Sequence, residues 1–347
     1  MKAVVLSGVR QMKVVDVAEP DMKKDTDVLL KIELVGVCGS DVHYYETGTI
    51  GSEAVTFPFT IGHECAGTVK AVGGSVTRVK AGDKVAVEPG IVCHDCDQCK
   101  AGRENTCRNM KFLGCPGQTP GCLSEYIVMP EECCFPVEDA LSLAEAVLCE
   151  PLAIAVYAVK QAALPAGAKV AVLGAGPIGL SCLVTAKAEG ANKLYVTEKV
   201  KERVAIARQA GATWAGNPND ENVVEQILRQ EPEGVDAVFE CAGQQETIDE
   251  AVEVVKPGGK IMLIGIPRVR EISFVIEKLR RREITIINVR RQNQCTQQAI
   301  DSVASGRISV GFMATHRFKL EQSQDAFDMV AGYRNGVVKA LIEVSDR

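Results

Sequence analysis

Residues 169 to 190 read KVAVLGAGPIGLSCLVTAKAEG: a short apolar run, a turn of closely spaced glycines, then an apolar stretch of helical length. Gly174, Gly176 and Gly179 stand in the order G-x-G-x-x-G, directly after the strand-like run and at the opening of the helix. That placement carries the information, because the string alone is common. The first glycine permits a tight turn, the second lets backbone approach a pyrophosphate, and the third lets helix and strand pack closely. The helix start adds unpaired N–H groups and the positive end of a dipole. Gly174, Gly176, Ile178 and Gly179 are therefore candidate dinucleotide contacts; a plain strand-to-helix turn is the alternative.

The pattern continues as KLYVT, KERVAIARQAGA, VDAVFECAG, ETIDEAVEVV, GKIMLIG and EITIIN, so strands alternate with helices. Such alternation implies a doubly wound parallel sheet covered on both faces, an α/β arrangement. Glu198 follows the second strand. A carboxylate there accepts hydrogen bonds from the ribose hydroxyls of NAD and repels a 2′-phosphate, so NAD is the expected cofactor. Lys199 and Arg203 lie close by in sequence and leave some tolerance of NADP. The first 150 residues read differently: VLLKIELVGVC, AGTVKAVG, DKVAVEPG and LSEYIVMP predict a largely β domain. At 347 residues the chain is long enough for both. The expected boundaries are 1–153 for the β domain, 154–292 for the dinucleotide domain, and 293–347 for a segment returning to the first.

Composition narrows the partners. The net charge is −6 with no basic block, which argues against nucleic acid. The apolar runs fall far short of the roughly 20 residues of a membrane helix. Fourteen cysteines behind an N-terminus without a signal-peptide layout point to a reducing, cytoplasmic setting. Four of them lie in CHDCDQCKAGRENTC: Cys93, Cys96, Cys99 and Cys107. In that setting clustered thiols are read as metal ligands before disulfides. Four thiolates close a tetrahedral Zn²⁺ site with no position left for substrate, so the 90–110 lobe is expected to be structural. A second set, Cys38 in GVCGSDVHYYE with His63 and Glu64 in TIGHECAGTV, offers a thiolate, an imidazole and a carboxylate and leaves a fourth position open. Each has a plainer alternative, Cys38 as a small buried hydrophobe and His63–Glu64 as a strand-end turn.

GVCGSDVHYYE, TIGHECAGTV, AGDKVAVEPG, the four-cysteine loop, CEPLAIAVYA and GAGPIG resemble, in that order, the zinc-dependent medium-chain alcohol and polyol dehydrogenases, and within them the sorbitol (L-iditol) branch. The resemblance implies a GroES-like, mostly β catalytic domain with a Rossmann cofactor domain, two zinc ions per chain, NAD, and a homo-oligomer, with a tetramer favoured. It implies that Cys38, His63 and Glu64 hold a catalytic zinc, that Glu150 approaches the metal or its water, and that Ser40 and His43 relay a proton. Zinc would act as a Lewis acid on a secondary hydroxyl while hydride leaves the adjacent carbon for the nicotinamide. The plainer readings make Glu150 a helix-start residue before Pro151, Ser40 a helix cap and His43 a surface residue. Tyr44 and Phe112 fall where the branch carries pocket aromatics, and Arg291 fits its pocket arginine. Gln292 stands where a tyrosine is usual, and Arg290 adds a second cation. That departure leaves a polyol phosphate of the galactitol-phosphate type as an alternative substrate, followed by threonine or butanediol. A non-catalytic nucleotide-binding protein is the remote alternative.

Overall fold

The computed structural model describes residues 1–138 and 141–345. Two compact units emerge: Met1–Glu150 with Thr296–Gly306 and Val310–Arg347, and Pro151–Cys295 with Arg307–Ser309. Among the described residues no helix is long and apolar enough to cross a membrane.

In the first unit one sheet runs Cys134–Pro136, Lys84–Val87, Glu64–Val72, Asp27–Gly36, Lys339–Glu343, Ala314–Lys319, with Tyr126–Pro130 also paired to Asp27–Gly36. The pairing is antiparallel except between the last two strands of the path. Asp27–Gly36 is the hub. Its alternation sends Val28, Leu30 and Ile32 into a core shared with Val69, Val85, Met129 and Ile342, while Lys31 and Glu33 stay half-buried. Register places Glu64 opposite Gly36 on one flank and Leu341 opposite the same glycine on the other. The chain leaves this strand through Val37 and Cys38 directly into the helix Gly39–Thr47, which Gly48 ends in the left-handed conformation at φ 74°.

The second unit holds six parallel strands in the order Trp214–Gly216, Lys193–Thr197, Lys169–Leu173, Val235–Glu240, Val255–Leu263, Thr285–Asn288. Helices alternate with them, as the sequence pattern predicts. The order reverses between Lys169–Leu173 and Val235–Glu240, the switch point at which doubly wound sheets bind ligands. Ala171, Leu173, Tyr195, Val238 and Ile261 form the sheet's core. Lys169 Nζ lies 2.5 Å from Glu231 Oε2, and the Tyr195 hydroxyl donates to Glu231 Oε1 at 2.6 Å, tying two neighbouring strands to the end of the helix Val223–Gln230.

Candidate metal centre and dinucleotide turn

In the first unit Cys38 Sγ, a ring nitrogen of His63 and a Glu64 carboxylate oxygen lie within 4.8 Å of one another. The sheet and the helix that follows it bring them together. Cys38 is the N-cap of Gly39–Thr47, and Glu64 opens the strand beside Asp27–Gly36. His63 is buried, with its Nδ1 3.2 Å from Asp41 Oδ1, and that same oxygen accepts from the Gly62 N–H at 3.2 Å. A carboxylate behind a histidine fixes the ring and directs its other nitrogen at a metal. Burial favours the neutral ring, but Asp41 and Cys38 outweigh it and hold the imidazole well above its usual pKa. A divalent cation bound at the other ring nitrogen would take the place of that proton. The donor set, soft sulfur with imidazole and one carboxylate, fits zinc with a position to spare.

Glu64 has a partner on its far side. Lys339 Nζ donates to both carboxylate oxygens, at 2.7 and 2.5 Å, and to the Val37 carbonyl at 3.2 Å. Burial works against this ammonium, yet Glu64, Cys38 and Glu150 raise its pKa above the ordinary value. Neither Asp41 nor Lys339 was singled out from sequence. A lysine opening the apolar run KALIEV is the available signal, because a charge in a buried strand needs a counter-ion.

Glu150 and Pro151 lie inside the helix Leu143–Ala162, so the helix-start reading of Glu150 does not hold. Ser40 is not the cap of its helix; its hydroxyl donates to Cys38 Sγ at 3.3 Å. His43 is half-buried on the same helix. Tyr44 is buried with its hydroxyl 3.7 Å from Cys115 Sγ, and burial followed by Cys115 pushes its phenol pKa up. Phe112 stands against the metal set, its ring centroid 5.0 Å from that of His63.

The four-cysteine lobe is a second cluster with sulfurs within 4.8 Å of one another. Cys96–Cys99, Cys93–Cys107 and Cys96–Cys107 are separated by 3.6, 3.5 and 4.0 Å. A tetrahedron with Zn–S bonds of about 2.3 Å has edges of roughly 3.8 Å. A disulfide needs about 2.05 Å, and all fourteen cysteines are free thiols. Backbone N–H donors from Asp95 and Cys96 bring the Cys93 thiol down to about 6, which favours the thiolate a metal requires.

In the second unit Gly174 turns at φ 98°, where a side chain would press on Ala242, and a Cβ on Gly179 would collide with the Gly174 carbonyl. Pro177 opens the helix Pro177–Ala188, and Ile178 is half-buried in its first turn. Glu198 binds the turn itself, Oε2 accepting from the Ala175 N–H and Oε1 from the Val200 N–H, both at 2.8 Å. Arg203 is buried, its guanidinium 3.8 Å from where a Cβ on Gly176 would stand. Arg290 is exposed, and Arg291 is half-buried with φ 54°.

Comparison with known proteins gives matches to both parts of the chain. The alcohol dehydrogenase GroES-like domain matches residues 24–139, and the zinc-binding dehydrogenase domain matches residues 177–305. A sorbitol dehydrogenase of Bacillus subtilis is 37% identical over 343 residues, covering 99% of this chain and 97% of its own length. A probable D-xylulose reductase A of Neosartorya fischeri is also 37% identical, over 97% of this chain and 95% of its own. Among solved structures, a zinc-binding dehydrogenase of Sinorhizobium meliloti bound to NADP superposes with a TM-score of 0.91 at 32% identity, covering 99% of this chain and 98% of its own.

Proposed function

This chain belongs to the zinc-dependent medium-chain alcohol and polyol dehydrogenases, and from that premise we propose that it oxidises one secondary hydroxyl of a sorbitol-, xylitol- or L-arabinitol-like polyol to the ketose, reversibly, with NAD as hydride acceptor. The observation that carries the proposal is the convergence of thiol, imidazole and carboxylate in the first unit.

Zinc held by Cys38, His63 and Glu64 would supply Lewis-acid polarisation of the substrate hydroxyl. Asp41 fixes the His63 ring in one orientation, and Phe112 packs against that ring. Ser40 begins the path for the substrate proton and His43 delivers it to solvent; the Ser40 hydroxyl already lies against the Cys38 sulfur. Glu150, Tyr44 and Arg291 complete the proposed site residues. In the second unit the glycine turn seats the pyrophosphate, and Glu198, with a hydrogen bond on each oxygen, keeps lone pairs for a ribose diol. The four-thiol lobe holds a second, structural zinc. The chain is proposed to act in the cytoplasm as a homo-oligomer, a tetramer by resemblance. The edge strand Thr285–Asn288 and the exposed Val269, Val275 and Ile276 support self-association, which light scattering measures.

The decisive experiment is an initial-rate panel with NAD and NADP against sorbitol, xylitol, L-arabinitol, galactitol, their phosphates, butanediol and threonine. Turnover of free polyols with NAD is expected. Rates confined to phosphate esters would move Arg290 and Arg291 to the centre of the site, and tight NAD binding without turnover on any alcohol would overturn the enzyme reading.

A further inference from the structure

Lys339 is only 1% exposed, and no step above uses it. It opens the strand Lys339–Glu343, on the opposite flank of Asp27–Gly36 from Glu64. Neighbouring strands stand about 4.8 Å apart, so the backbones that carry Lys339 and Glu64 are roughly 10 Å apart, with a strand between them. Their side chains meet only where that middle strand presents nothing in the way. Register puts Gly36 opposite Glu64 on one flank and Leu341, two residues along from Lys339, on the other, and a Cβ on Gly36 would strike Glu64 Oε2. The glycine leaves the Glu64 carboxylate room at the end of the middle strand, where Lys339 reaches it.

We propose that Lys339 is a positioning residue of the metal centre: it clamps the Glu64 carboxylate and offsets one of its negative charges, so the site grips zinc less tightly than its three ligands would alone. The inference rests on the reading of Cys38, His63 and Glu64 as a zinc site. All three ammonium protons are engaged, two on Glu64 and one on the Val37 carbonyl, which leaves the head group no freedom to turn away. Each carboxylate oxygen has two lone pairs, so the clamp leaves one on each for a metal. Lys339 touches Glu64 directly, and negative charge on Cys38 and Glu150 also acts on it. With zinc bound to a Cys38 thiolate, three negative charges would be set against three positive ones, one of them from Lys339. Without the lysine the pocket is one charge more negative, and a divalent cation is attracted more strongly.

The test is zinc transfer to a chromophoric chelator at mildly alkaline pH, measured on wild type, Lys339→Met and Lys339→Arg, with Cys38→Ser identifying the phase that belongs to this site. Lys339→Met is expected to lower the dissociation constant of the Cys38-dependent zinc at least about tenfold, and Lys339→Arg to stay within about threefold of wild type. An unchanged or weaker affinity in Lys339→Met overturns the inference. A wild type with no Cys38-dependent phase overturns the metal reading itself, a distinguishable result. Should Lys339→Met fail to fold, the Glu64→Gln/Lys339→Met pair is expected to recover the fold, because removing both partners of a buried pair costs far less than removing one; failure of that recovery also overturns the proposal.

Discussion

Asp41 touches the metal set only through His63, and Asn in its place keeps the shape while removing the charge and changing which tautomer is held. Asp41→Asn is expected to weaken zinc binding about 10- to 100-fold, read by chelator competition. Gly36 has ordinary backbone angles, so alanine there strains no turn; it meets Glu64 and Val147 instead. Gly36→Ala is expected to cost about 1–3 kcal/mol in denaturant unfolding and to lower zinc occupancy, measured by elemental analysis. Cys38, His63 and Glu64, which the structure brings together, were candidates in the sequence because Cys, His and Glu advertise their chemistry in short motifs. The groups behind them were not. Asp41 reads as an ordinary acid in a helix's first turn, and Lys339 lies 275 positions from its carboxylate, a separation that only the sheet closes.

At the level of elements, the four-thiol lobe combines its clustered sulfurs with backbone turns and the Arg108–Asp97 ion pair. Cys96→Ser is expected to remove one zinc per chain and lower the melting temperature by several degrees, with a smaller effect on turnover of the folded fraction. In the second unit, burial opposes the Glu231 carboxylate, but Lys169 and Tyr195 outweigh it and hold its pKa below the usual 4.5. A depressed folded pKa contributes stability above the unfolded value that is lost as pH falls through the folded one. Glu231→Gln is therefore expected to cost about 1–3 kcal/mol at neutral pH, and the difference from wild type should close as pH falls below the ordinary carboxylate range in unfolding titrations. Most strands and helices of this unit were legible, because buried parallel strands read as apolar runs between helical periods. Trp214–Gly216 was not: three residues give no periodicity to detect. The plainer reading of Glu150 as a helix-start residue fails because Pro151 sits inside a helix that begins at Leu143.

For the molecule as a whole, the two units divide the work: one gathers metal ligands, the other presents a glycine turn and Glu198. Wild type is expected to prefer NAD over NADP in kcat/KM, and Glu198→Gln, which keeps one acceptor oxygen for the Ala175 and Val200 amides where the carboxylate has two, to narrow that ratio by about tenfold or more. A wild-type preference for NADP would remove Glu198 from the account. The α/β architecture was readable because hydrophobic period and glycine spacing are local, while the choice of substrate rests on individual side chains that no period reveals. The meeting of acid and base across Gly36 has an evolutionary corollary. Positions 36, 64 and 339 should be inherited as one unit, and in a saturation library a bulkier residue at 36 should survive only alongside replacements at the other two.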